Sequence, residues 1–159
     1  ELTLARNEGK QLNENIVQNY RYDYLRVEPK IVWAPSALFE VEYKATVSCG
    51  GSGIGKDTRL DPLWDVAQRL TLSLGFHDTD FRLSGEHFYN DLSKDQHLNT
   101  WLADVSLIHK SGKWRFTASA MHLFNKEQYR YTLYSAVQSY TSWVKLRPRE
   151  FMVSVQYQW

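Results

Sequence analysis

The stretch Gly50-Gly51-Ser52-Gly53-Ile54-Gly55-Lys56 fits the first seven positions of a P-loop. In that motif backbone N–H groups cradle phosphate, the lysine reaches it, and a following Ser or Thr binds Mg²⁺. Asp57 stands where the hydroxyl should be, with Thr58 one step on. A carboxylate there opposes phosphate. Pro62 follows soon and no helical pattern begins, so we expect a flexible glycine-rich loop instead. Glu40 and Glu42 share one face of an alternating segment and have the form of an acid–base pair. Lys44 beside them, with Arg26, Glu28 and Lys30 on the neighbouring segment, turns the expectation toward a salt-bridge lattice. His77, His87, His97, His109 and His122 show no metal-ligand spacing. His87 and His109 fall near strand ends, where an amphipathic ring suits an interface. Cys49 is the one cysteine, which excludes an intramolecular disulfide. It closes an apolar alternation and reads as a small hydrophobe. No Ser/His/Asp or Cys/His arrangement stands out. We expect no enzyme, no cofactor and no metal.

The elements that would carry these residues repeat with period two, the strand signal. In Leu25–Trp33 the odd set is Leu25, Val27, Pro29, Ile31 and Trp33, against Arg26, Glu28 and Lys30. In Phe39–Cys49 the odd set is Phe39, Val41, Tyr43, Ala45, Val47 and Cys49, against Glu40, Glu42, Lys44, Thr46 and Ser48. Trp64–Phe76 switches phase, with only Gln68 intruding in its apolar set. Phe81–Tyr89, Trp101–His109, Trp114–Phe124 and Phe151–Trp159 alternate likewise. Across these seven strands no Asp, Glu, Lys or Arg falls in the apolar set. A stub, Leu2–Arg6, reads like the tail of a strand entered midway, so we expect a mature or internal fragment. Upstream, Val144 and Leu146 are apolar on even positions, whereas Phe151 onward is odd. Pro148 lacks an N–H. A bulge around Arg147–Glu150 is therefore expected to reset the phase.

The connections alternate too. Ala34–Leu38, His77–Asp80 and Lys110–Lys113 are short, while Gly50–Leu63, Asn90–Asn99 and Asn125–Tyr140 are long and polar. Short turns at one end and long loops at the other mark an outer-membrane barrel, with the short turns periplasmic. Trp33, Trp114 and Trp159 fall at the short-turn end, joined by Phe39, Phe76 and Phe81. Trp64 and Trp101 fall at the other end, joined by Tyr89 and Phe124, with Trp143 near it. Two aromatic girdles are what membrane interfaces favour. Trp114 to Phe124 is ten steps, which at ~45° tilt spans ~24 Å, close to the ~25 Å apolar band.

Composition narrows the class. The chain has 159 residues, 14% of them aromatic, and a net charge of +1. Near-neutral charge argues against an electrostatic nucleic-acid binder. The aromatic content argues against disorder. No apolar run approaches the ~20 residues of a membrane helix, but a barrel hides its lipid face in alternate residues.

The tail, Leu146-Arg147-Pro148-Arg149-Glu150-Phe151-Met152-Val153-Ser154-Val155-Gln156-Tyr157-Gln158-Trp159, resembles the end of TonB-dependent outer-membrane receptors of the Bacteroidetes type. Leu123-Phe124-Asn125-Lys126 is similar to the family's Asn-Leu-Phe-Asn segment, with His122 where Asn is usual. Glu86–Asn90 and Tyr129–Thr132 also resemble family features. The resemblance is loose over Tyr20–Trp159 and close from about Glu86 onward. It implies that residues 1–159 are the carboxy-terminal part of a barrel of about 22 strands with a plugged lumen. The plug domain would lie outside these residues. It also implies active import of a nutrient ligand, driven by a TonB-type energiser. The implied partners are the remaining barrel and plug, the lipid bilayer, the barrel-assembly machinery and a surface lipoprotein, with no nucleic acid. Tyr129, Tyr131, Tyr134 and Tyr140, in an outer loop, are the candidate ligand contacts. Phe151, Val153, Val155, Tyr157 and Trp159 are the candidate assembly and closure residues. Trp33, Trp64, Trp101, Trp114 and Trp159 are the girdle residues. Two other readings stay open. One is a self-contained eight-strand outer-membrane barrel with a structural or adhesive role. The other is a soluble lipocalin-like binder, with the same alternation reversed in sense.

Overall fold

The structure, a computed structural model, describes residues 1–13, 15–54, 58–59, 62–93, 96–126, 128–134 and 139–159. At 11, 13, 58, 59, 128–134 and 139 only the backbone is described. The chain is all-β. The strands are β1 (Leu2–Asn13), β2 (Ile16–Val27), β3 (Lys30–Ser36), β4 (Phe39–Ile54), β5 (Thr58–Arg59), β6 (Leu63–Phe76), β7 (Thr79–Ser93), β8 (Gln96–Ser111), β9 (Trp114–Met121), β10 (Gln128–Tyr134), β11 (Ser139–Lys145) and β12 (Glu150–Tyr157). One antiparallel sheet runs β1-β2-β4-β6-β7-β8-β9-β12, with β3 and β5 also paired to β4. β10 and β11 form a separate hairpin. β1 pairs only β2 and β12 only β9 among the described residues, so the sheet is open. The β1–β12 pairing that a self-contained eight-strand ring requires is not made.

Each strand of the alternating pattern is present, but the boundaries move. β2 and β3 hold one register along β4, Val27 facing Val47 and Lys30 facing Lys44. Between them Ala45 N–H donates to the Pro29 carbonyl (3.0 Å). Pro29 has no N–H to return that bond, so the ladder lapses at Glu28 and Pro29 without slipping. The expected stub Leu2–Arg6 extends to Asn13, paired rung by rung with β2.

The long connections are largely strand. β4 continues through Ile54, and β7 and β8 pair out to Ser93 and Gln96. The expected flexible loop at Gly50 is therefore corrected: Gly50–Ile54 lies in β4, paired with Tyr24–Tyr20 of β2. Gly55, Lys56 and Asp57 lie outside the described residues. Beyond the alternating segments both faces are polar, so the two-residue hydropathy signal stops where backbone pairing does not. The short turns contract to two residues, Ala37–Leu38, His77–Asp78 and Gly112–Lys113. His77 (φ 51°) and Gly112 (φ 57°) supply the left-handed backbone that tight hairpins need.

The sixth expected strand stops early. β9 ends at Met121, and His122 (φ 55°) and Asn125 (φ 50°) turn the chain out of the sheet. The expected bulge at Arg147–Glu150 is likewise corrected. β11 belongs to the separate hairpin, residues 146–149 are not strand, and β12 begins afresh at Glu150. The parity change reflects two different sheets.

The sheet is a single layer. Ala45 is the only buried hydrophobic residue among those described. Leu70, Leu74, Leu107, Phe116 and Val153 are 42–77% exposed. A sheet ordinarily buries one face on a second layer. Here the apolar face stays open, while the opposite, polar face holds the buried Thr71 and Asn90.

Candidate functional site

The polar face is built from the even residues of β4 and the odd residues of β6 and their partners. Lys30 and Lys44 flank Glu42, at 3.4 and 2.7 Å. Arg26 Nε donates to Glu28 (3.0 Å), and Thr46 Oγ1 donates to the same carboxylate (3.4 Å). Arg69 pairs with Glu86 across β6–β7. The expected lattice around Glu42 and Lys44 is present. Between its pairs lies an open depression of about 240 Å³, lined among others by Lys44, Thr46, Ala67, Arg69, Glu86 and Phe88.

At the long end of this face β2 presents Tyr20, Tyr22 and Tyr24 in alternation. The register sets Gly9 opposite Tyr20 and Gly50 opposite Tyr24. A Cβ on Gly9 would stand 2.7 Å from Tyr20 Cε1, and one on Gly50 2.5 Å from Tyr22 Oη. The rings thus recline over bare backbone. Tyr22 and Tyr24 are nearly parallel (21°) with centroids 6.2 Å apart. Asn7 and Ser52 stand opposite Tyr22. Asn90 Nδ2 donates to Asp65 (3.0 Å) nearby. Chemically this is an aromatic floor with amide, hydroxyl and carboxylate groups at its margin, suited to a ring-bearing polar molecule. Tyr22 lies beyond the Leu25–Cys49–Trp64 rung, and burial raises its phenol above the ordinary value. On the other face at that height Asp23 bonds Arg21 and Arg6. Those two guanidinium groups, Arg21 first, hold its carboxyl below the usual range.

The tyrosines expected to meet ligand lie in the β10–β11 hairpin. Tyr129 faces Val144, Tyr131 faces Ser142, Tyr134 faces Ser139 and Tyr140 faces Leu133 in the β10–β11 hairpin. By register Tyr129, Tyr131 and Tyr140 share one parity and Tyr134 has the other. Tyr140 is exposed; the side chains of Tyr129, Tyr131 and Tyr134 lie outside the described residues. The β2 tyrosines carry no mark in the sequence, because Tyr-x-Tyr-x-Tyr becomes a shared surface only when the register supplies Gly9 and Gly50.

The aromatic rows are well formed. Trp33 meets Phe39 edge-on at 5.6 Å. Trp114 meets Tyr157 at 4.8 Å, and Tyr157 meets Trp159 at 5.4 Å. Gln158 N–H donates to Lys113 O (2.8 Å), which sets Trp159 beside a short turn. Trp64 and Trp101 lie at the opposite end of the sheet. Phe124, expected with them, is in the turn after β9. Phe151, Val153, Val155 and Tyr157 line the apolar parity of β12, whose outer edge is unpaired among the described residues.

One polar chain crosses the apolar face. Tyr43 Oη donates to Gln68 Oε1 (2.9 Å), Gln68 Nε2 meets His87 Nδ1 (3.0 Å) and His87 Nε2 meets Asn99 Oδ1 (3.0 Å). His87 also stacks on Trp101 at 4.1 Å. His109 lies against Phe116, and His97 against Tyr89. Among the described residues no group of His, Cys, Asp and Glu is arranged to hold a metal ion. In comparisons with known proteins, no family model, curated protein or solved structure matches the chain.

Proposed function

We propose that this chain forms the carboxy-terminal part of the barrel wall of a TonB-dependent outer-membrane receptor that imports a nutrient ligand. The supporting observation is the exposed apolar face bounded by two aromatic rows. Rung by rung, Trp33 lines up with Val41, Leu72, Leu83, Val105, Ala120 and Phe151. Tyr157, the aromatic of the same row on β12, lies six residues further down than Phe151. Six strand-to-strand steps separate β3 from β12, so the row descends about one residue per strand. One rise of ~3.3 Å per spacing of ~4.8 Å gives a tilt of about 35°. That fits the ~35–45° of transmembrane barrels. Trp101 lies ten residues from Ser111, the partner of Trp114, so at that tilt the two rows stand roughly 27 Å apart, near the ~25 Å apolar band. Outward charge begins only past the upper row, at Arg6, Asp23 and Asp91.

In this reading the apolar face meets lipid and the salt-bridged face meets the lumen and plug. The short turns and Trp159 are periplasmic. The β2 tyrosines and the β10–β11 hairpin, with Tyr129, Tyr131, Tyr134 and Tyr140, border the outer mouth, where ligand and a surface lipoprotein would be met. The open edges of β1 and β12 support a ring larger than these strands. Phe151–Trp159 is the segment offered to the barrel-assembly machinery. TonB coupling would run through a plug contributed by other residues. The reading is tested by tryptophan quenching in bilayers of lipids brominated at stated depths. Shallow bromines should quench more than deep ones, with replacement of Trp33, Trp64, Trp101 and Trp114 removing the signal in turn. Monodisperse protein without detergent, and no quenching at any depth, would overturn it.

A further inference from the structure

We propose that Arg149 is a positioning residue that sets the register of β12 by stapling the two ends of the β10–β11 excursion together. The chain leaves the main sheet at His122 and re-enters at Glu150, opposite Met121. A strand arriving from a separate hairpin has no turn to fix its register, and a one-residue slip would reverse every side chain from Phe151 onward. The exit is anchored first. His122 N–H donates to Asp104 Oδ1 (2.8 Å), Leu123 N–H to Ala103 O (2.9 Å) and Asn125 N–H to His122 O (2.7 Å). Two left-handed residues, His122 and Asn125, complete this turn, a conformation that Asn and His adopt more readily than most residues.

The returning chain then docks on that turn. Arg149 N–H donates to Asn125 Oδ1 (3.0 Å), and its guanidinium donates to the Leu123 carbonyl (2.6 Å). Charge-assisted bonds of this kind are stronger than neutral ones. Pro148, just before, restricts the backbone that presents Arg149. The position of β12 is thus referenced to Asp104 and Ala103 on β8, two strands away, and not to the hairpin between. On this account the register of β12 does not require the hairpin between. This inference does not depend on what covers the apolar face.

The test reads register directly, in the intact protein with Cys49→Ser. Ser154 faces Thr117 in the native pairing. Cysteines at 154 and 117 report that register and lose their cross-link on a one-residue slip; cysteines at 154 and 119, or 154 and 115, report slips of two residues, which keep each side chain on its face. Arg149→Ala should raise the slipped cross-links about tenfold relative to the native one, the scale of one charged hydrogen bond. Arg149→Lys should recover part of the native pattern. Asn125→Gly keeps the left-handed backbone while removing the side-chain acceptor, and should shift the pattern in the same direction by less. This variant reports even where Arg149→Ala yields no folded protein. Replacing 127–146 with a Gly/Ser linker should leave the native cross-link unchanged. Overturning results are a native pattern in both Arg149→Ala and Asn125→Gly, or loss of register on hairpin removal with Arg149 intact.

Discussion

At the scale of single residues, the tyrosine floor crowds Gly50, where an added side chain would have to displace the tip of Tyr22. A methyl there meets Tyr22 Oη at 2.5 Å. Gly50→Ala should destabilise by about 1–3 kcal/mol, the usual cost of overpacking. The same change in a Tyr22→Phe background should cost less, because the nearest atom is gone. A double-mutant cycle by denaturant titration measures that coupling; strict additivity would show that the ring does not rest there. Asp23 gives a pH expectation. Its folded pKa lies below the ordinary carboxylate value because of Arg21 and Arg6. Its contribution is therefore present above the unfolded pKa and lost as pH falls through the folded one. Protection factors of the amides around the Arg6–Asp23 rung should fall on acidification below the usual carboxylate range. Asp23→Asn should remove that pH dependence.

At the scale of elements, β6 separates the two faces most clearly. Leu70 lies six residues from both Trp64 and Phe76, so if the apolar face meets lipid it sits at mid-depth. Leu70→Arg should then cost about 2–4 kcal/mol, measured by folding titrations into lipid vesicles. Ser73→Arg, on the polar parity of the same strand, should cost much less. Equal costs would reject the assigned face. These elements were legible where one face is uniformly apolar. Leu72, Leu74 and Phe76 alternate with Thr71, Ser73 and Gly75, and nothing but a half-apolar strand explains that pattern. Legibility failed past Trp64 and Trp101. Gly50–Ile54 and Asp91–Ser93 have polar or bare neighbours on both sides, so no parity marks them, although their backbones pair. It failed again after Met121, because Val144 belongs to a hairpin that the main sheet does not contain and Leu146 lies beyond its end.

At the scale of the whole molecule, both outer edges of the sheet are open ladders, a hazard that proteins relieve by pairing or covering. If these strands belong to a larger ring, outward amides of β1 and β12 should exchange rapidly in this chain alone and become protected once that ring is closed. Amides of β6 and β7 should be slow in both. Rapid exchange at the edges in the complete protein would argue against a larger ring. The candidate site was less legible than the fold at this scale. Tyr20, Tyr22 and Tyr24 meet Gly9 and Gly50 from two other strands, and only three-dimensional register joins them.

The diagonal course of the aromatic rows has a consequence for counting. A wall whose level lines drop about one residue per strand is a short length of screw thread. Carried once around a closed ring, the thread returns displaced by about as many residues as there are strands, and that displacement is the shear of the barrel. The offset at which the last neighbour meets β1 therefore encodes the circumference. If the sheet closes into such a ring, one cross-linked residue pair across that final seam, added to the registers of all the strand pairs between, would give the number of strands.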